Sequence, residues 1–94
     1  MIQGLRPCAL VVALALLAGC ANAPVQAMSD TRQAIQAAEA AGAQQAAPDK
    51  LQAARDGLKR AEDLIRARDY RAAKREALNA RQRAAEALAA STAH

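Results

Sequence analysis

Two thiols, one imidazole and nine carboxylates are the groups in this 94-residue chain that could do covalent or acid–base chemistry. Their placement argues against most of it. The imidazole belongs to His94, the last residue, and without a second histidine or a free cysteine in the mature chain no zinc site is expected. Ser29, Thr31, Ser91 and Thr92 fall near expected helix ends, where capping or fraying accounts for them. Most of the nine carboxylates have a basic residue at helical spacing, so they read as solvated ion pairs rather than general acids or bases. No enzyme, metal or cofactor is expected.

Cys20 is the exception. Residues 1–19 comprise a short basic head ending at Arg6, an apolar run of about eleven residues from Cys8 to Ala18, and the small pair Ala18-Gly19. A spanning helix needs about 20 apolar residues, so the run is too short to be a permanent anchor. It closes with Leu17, Ala18, Gly19 and Cys20, which resembles the lipobox of bacterial lipoproteins. That resemblance implies cleavage after Gly19, a diacylglyceryl group on the Cys20 thiol and acylation, typically palmitate, of the new amino group. Several acyl chains hold far better than one, whose binding is marginal and reversible. Cys8 would leave with the signal peptide and Cys20 would be consumed, so no disulfide is expected. Ala21 follows where an aspartate would signal inner-membrane retention, which favours the periplasmic face of the outer membrane over the inner membrane.

Composition limits what the mature part can do. Alanine fills 25 of the 75 positions from Cys20 onward, and large apolar side chains are few. A domain this short buries only about 60% of its unfolded surface, and alanine adds little at ~25 cal/mol per Å². Marginal stability follows, with homo-oligomerisation an open alternative to a lone monomer. The net charge of +4 is mild. With no Trp or Phe and a single Tyr, there is neither a dense basic stripe nor a stacking platform for nucleic acid.

The periodicity predicts an all-α fold with three domains of sequence: the leader 1–19, a lipidated cysteine and tether 20–28, and an alanine-rich helical domain 29–94. Ala21 to Ala27 is small, polar and broken by Pro24, as a tether would be. Ser29 and Asp30 can cap a short helix of about 29–41, with Gln33 completing a capping box and Met28, Ile35 and Ala38 on one face. Arg32, Gln36 and Glu39 would point away. Gly42 ends that helix, and residues 43–47 form a loose connection. Pro48 suits the first turn of a second helix, about 48–67, because its missing N–H would have had no intrahelical partner. Leu51, Ala54, Leu58, Ala61 and Ile65 recur there at alternating steps of three and four, with Leu64 alongside. Asp56–Arg60 and Glu62–Arg66 are spaced for charge pairs on the opposite face. Gly57 costs this helix about 1 kcal/mol relative to alanine.

A third seam runs through Tyr70, Ala73, Ala77, Ala80, Ala84 and Ala87, flanked by Leu78 and Leu88. The step of five from Ile65 to Tyr70 breaks the alternation, and Asp69 stands at the break as a cap. An antiparallel hairpin turning at 67–69, with a third helix of about 69–90, is therefore expected. One uninterrupted helix from Pro48 to Ala90 is the alternative, since neither glycine nor proline lies between Leu64 and Ala77. Tyr70, the largest side chain at the junction, is expected to be a packing wedge.

The stretches Ala-Ala-Pro-Asp-Lys-Leu-Gln-Ala-Ala-Arg (46–55) and Leu-Ile-Arg-Ala-Arg-Asp-Tyr-Arg-Ala-Ala (64–73) resemble a family of envelope lipoproteins named for a domain of unknown function, DUF4398. The resemblance implies an alanine-rich first helix, an Ala-Pro opening of the second and a Gly-Asp-Tyr turn before the third, with a hairpin similar to those of tetratricopeptide repeats. Arg68 stands where glycine is common. Some relatives carry a peptidoglycan-binding domain behind this unit. The family has no assigned activity.

Arg66, Arg68, Arg71, Lys74 and Arg75 place five cations within ten residues, against only Asp69 in that window. A hairpin would gather them at one end, facing acidic targets: a carboxylate-rich protein, peptidoglycan stem peptides or anionic headgroups. The expected function is a non-catalytic structural or interaction module of the cell envelope, held to the membrane through Cys20, with an envelope protein or peptidoglycan as partner. The alternative is a lipoprotein that binds a small molecule or lipid between its helices. The ending Ser-Thr-Ala-His speaks against attachment to peptidoglycan through a terminal lysine.

Overall fold

The computed structural model describes residues 23–93; the leader, Cys20 and His94 lie outside them. The described chain forms four α-helices and no strand: α1 (Ala23–Ala40), the single turn α2 (Ala43–Ala46), α3 (Pro48–Arg66) and α4 (Tyr70–Thr92). α3 and α4 form the antiparallel hairpin, so the single long helix does not occur. α1 packs on both, most extensively on α4. Ala27 and Met28, early in α1, meet Ala61 and Ala77, whereas Ile35 and Ala38 meet Leu51, Ala54, Ala84 and Ala87. α1 therefore runs parallel to α4 and antiparallel to α3, and it begins at the turn end of the hairpin.

The first helix is neither short nor preceded by a tether from Ala23 onward. It starts six residues before Ser29 and is 18 residues long. Pro24 is tolerated because it occupies the first turn, where a missing N–H breaks no bond. Tertiary burial of Ala27 and Met28 then holds that turn in the helix. Ser29 and Asp30 consequently lie mid-helix rather than at a cap. Asp30 accepts a hydrogen bond from Gln26 Nε2 at 2.9 Å and faces Arg81 of α4 at 4.0 Å. Gly42 adopts φ 91° after the helix end, and Ala43–Ala46, expected as loose chain, forms one helical turn that buries Ala43. Pro48 opens α3 at its first position.

Alanine spacing sets how the helices meet. Ala73, Ala77, Ala80, Ala84 and Ala87 of α4 are all buried, at steps of four and three. With only methyl groups between them, helix axes can approach toward the lower end of the 8–10 Å range. The closest point is Gly57 against Ala80. A Cβ on Gly57 would lie 2.9 Å from the Ala80 Cβ and 3.4 Å from its Cα. Gly57 thus allows the crossing that its lack of helix propensity alone would oppose. Among the described residues, Leu51 is the one large hydrocarbon side chain fully out of solvent; Met28 and Ile35 come close.

One buried polar contact ties α1 to α4. The Thr31 hydroxyl lies 2.7 Å from the carbonyl oxygens of both Ala27 and Ala77, and its single proton is shared between them. Around the core, ion pairs link the helices: Arg32–Glu62 and Arg55–Glu39 join α1 to α3, and Lys50–Glu86 and Arg60–Glu76 join α3 to α4. The expected pairs Asp56–Arg60 and Glu62–Arg66 are not among the described ones. Close packing offers Arg60 and Glu62 partners on neighbouring helices instead, and Asp56 accepts from Gln52 at 2.9 Å. Exposed pairs of this kind contribute about 0–1 kcal/mol each.

Gly57→Ala is expected to lower stability by about 1 kcal/mol, because overpacking costs about 1–3 kcal/mol and exceeds the ~1 kcal/mol propensity gain. Thermal unfolding followed by circular dichroism measures it. A raised Tm would show that α3 and α4 can separate at Ala80 without loss.

Candidate functional site

The turn between α3 and α4 is built by the backbone. Asp69 N donates to Leu64 O at 2.9 Å and Arg68 N to Ile65 O at 3.0 Å, the two bonds of a Schellman motif. That motif requires a left-handed residue, and Arg68 supplies it at φ 63°. The glycine missing from this position is thus replaced by an arginine in a conformation that costs an L-residue roughly 1–2 kcal/mol. Asp69 then caps α4, its carboxylate accepting from Ala72 N at 3.2 Å.

Tyr70 is not a wedge. It is 53% exposed, because it is the first residue of α4 and lies beyond the end of the alanine seam. The turn closes through main-chain bonds and needs no side chain to fill it. Val25, in the first turn of α1, is also exposed, at 56%. Both lie at the end of the molecule where α1 and α4 begin. Val25 escaped the sequence reading because residues 21–27 looked like a tether, with no periodicity to assign it to a face.

Charge is sorted along the molecule. Arg32, Lys50, Arg55, Arg60, Arg81 and Arg83 all have a carboxylate within 4.0 Å. At the turn, Arg66 is held by Asp63 at 2.7 Å. None of the described ion pairs includes Arg68, Arg71, Lys74 or Arg75, and all four residues are exposed; on the flanks the same holds only of Lys59 among the described cations. The fold therefore brings the five predicted residues to one end and leaves four with no carboxylate partner among the described residues. The physical reason is partly positional: Arg68 and Arg71 project at the turn past the helix–helix ion pairs, whereas Lys74 and Arg75 adjoin Glu76, whose carboxylate is taken by Arg60.

Leu17, Ala18, Gly19 and Cys20 lie outside the described residues. Among the described residues no group of three or more His, Cys, Asp or Glu side chains could hold a metal ion, and no helix is long and apolar enough to cross a membrane. An open groove of about 310 Å³ between α3 and α4 is lined by Ala53, Gly57, Arg60, Glu76, Asn79, Ala80 and Arg83. Its polar rim differs from the mostly apolar, enclosing walls of small-molecule sites.

These features define a small, alanine-seamed unit of three long helices and one single-turn helix, with a basic tip. The chain belongs to the family of the domain of unknown function DUF4398, whose model matches residues 26–94. No curated protein and no solved structure matches it.

Two substitutions test the turn with opposite signs. Arg68→Gly should stabilise the fold by roughly 1 kcal/mol by relieving the left-handed conformation, and Asp69→Ala should destabilise it by about 1 kcal/mol through loss of the cap. Denaturant unfolding reads both. A destabilised Arg68→Gly protein would mean that the arginine side chain contributes contacts that outweigh its backbone cost.

Proposed function

We propose that this protein is a non-catalytic lipoprotein of the bacterial envelope, anchored through Cys20 at the periplasmic face of the outer membrane, which presents its helical unit as a structural or interaction module. The anchor reading rests on Leu17-Ala18-Gly19-Cys20 behind a short basic head and an apolar run too short to span. The interaction reading rests on one observation above all: Arg68, Arg71, Lys74 and Arg75 are gathered, exposed and outside the described ion pairs, while the cations along the helix flanks, Lys59 excepted, have a carboxylate partner. An uncompensated cluster of this kind attracts anionic surfaces and weakens as salt rises. Holding Arg68 in a left-handed conformation, where glycine would be cheaper, fits a role for its side chain outside the fold.

Cys20→Ser is expected to abolish acylation and to release the chain from the membrane fraction. Metabolic labelling with palmitate and fractionation of the envelope check it. Unchanged membrane retention of the Ser variant would show that something other than lipid on Cys20 holds the protein.

A further inference from the structure

The polarity of α1 relates the anchor to the basic tip. The Thr31 hydroxyl meets the Ala77 carbonyl at 2.7 Å, which fixes the level of α1 against the parallel α4. Counting back at 1.5 Å per residue, Ala23 lies about 12 Å before Thr31 and Tyr70 about 10 Å before Ala77. α1 and α4 therefore begin at almost the same height, beside Arg68. Two residues, Ala21 and Asn22, separate Cys20 from Ala23, and the three Cα-to-Cα steps reach at most about 11 Å. Had α1 run the other way, the length of α3, about 28 Å, would lie between the anchor and the turn. That is several times the ~8–10 Å over which exposed charges act in physiological salt.

We propose that the basic tip docks on anionic phospholipid headgroups of the leaflet that carries the Cys20 lipid, so that the hairpin stands on that membrane with α2 and the end of α4 farthest from it. This rests on the reading of Cys20 as acylated. Four exposed cations outside the described ion pairs lie at the tip, and each basic residue near an anionic leaflet favours the docked state about fivefold. Asp69 turns its carboxylate to the Ala72 N–H, Asp63 to Arg66 and Glu76 to Arg60, so the nearest acids are engaged. Tyr70 and Val25 are exposed at the same end, which gives the tip the mixed aromatic, apolar and basic character suited to a membrane–water interface. With several acyl chains already holding the protein, the cluster sets orientation rather than retention.

The test uses the acylated full protein purified from membranes. Processing removes Cys8 and acylation consumes Cys20, so one introduced cysteine can carry a fluorophore, at the turn in Ala67→Cys or at the opposite end in Gln45→Cys. Each is reconstituted into vesicles of phosphatidylcholine alone or with about 30% phosphatidylglycerol, containing a headgroup-attached nitroxide quencher, at about 50 and 500 mM salt. The expected result is at least threefold stronger quenching at the turn than at position 45 in the anionic vesicles. That difference should collapse in high salt, without phosphatidylglycerol, and in Arg68→Gln/Arg71→Gln/Lys74→Gln/Arg75→Gln protein of unchanged helicity. Acylated protein whose turn quenching ignores lipid charge, salt and the Gln variant would overturn the docking. So would equal quenching at both ends, or a Gln variant that loses a cross-linked protein or peptidoglycan while its quenching is unchanged. The salt and lipid dependence of the unsubstituted cluster decides the matter even if the Gln variant folds poorly. An intact mass without acyl groups would remove the anchor reading and this proposal together, whereas acylation with charge-independent quenching removes only the docking.

Discussion

Close approach of helix backbones is the constraint on which this small fold depends. Gly57 and Ala80 meet where a single added methyl would fall 2.9 Å from its neighbour, and the alanines of α4 continue that contact along the helix. An interior with so few large side chains gains little from hydrophobic area per residue. It relies on continuous van der Waals contact over a long seam, and that contact is lost if the helices stand even an ångström further apart.

The same closeness determines where the charges go. Short side chains at the interface bring the flanks of neighbouring helices within reach of one another, so some side chains that could pair within one helix pair across two. Arg60 meets Glu76 and Glu62 meets Arg32 in this way. At the turn itself there is no opposite flank, and Arg68 and Arg71 keep their charge uncompensated there; Lys74 and Arg75 lie beside the seam, but the neighbouring Glu76 pairs with Arg60.

Backbone geometry at the turn makes a parallel point. The Schellman bonds close the hairpin without help from Tyr70, which leaves the only aromatic side chain of the protein half in solvent. A left-handed arginine in the middle of that turn carries a conformational cost that a glycine would avoid. Stability alone gives no reason for either choice, and an external surface for these side chains gives one for both.

The sequence by itself determined the all-helical class, the inward alanines and the break at 67–69, because each depends on local periodicity, capping and turn chemistry within a few residues. Ala73, Ala77, Ala80, Ala84 and Ala87 can be read as one face from their spacing alone. The tertiary structure decided what lies between distant residues: that α1 extends back through Pro24 to Ala23, that it runs parallel to α4, that Gly57 is a point of contact rather than a weakness, and that ion pairs form between helices. None of these has a local signature. A first turn containing Pro24 is held by Ala27 and Met28 meeting Ala61 and Ala77, and the direction in which a helix lies on its neighbours depends on packing that only the assembled bundle provides.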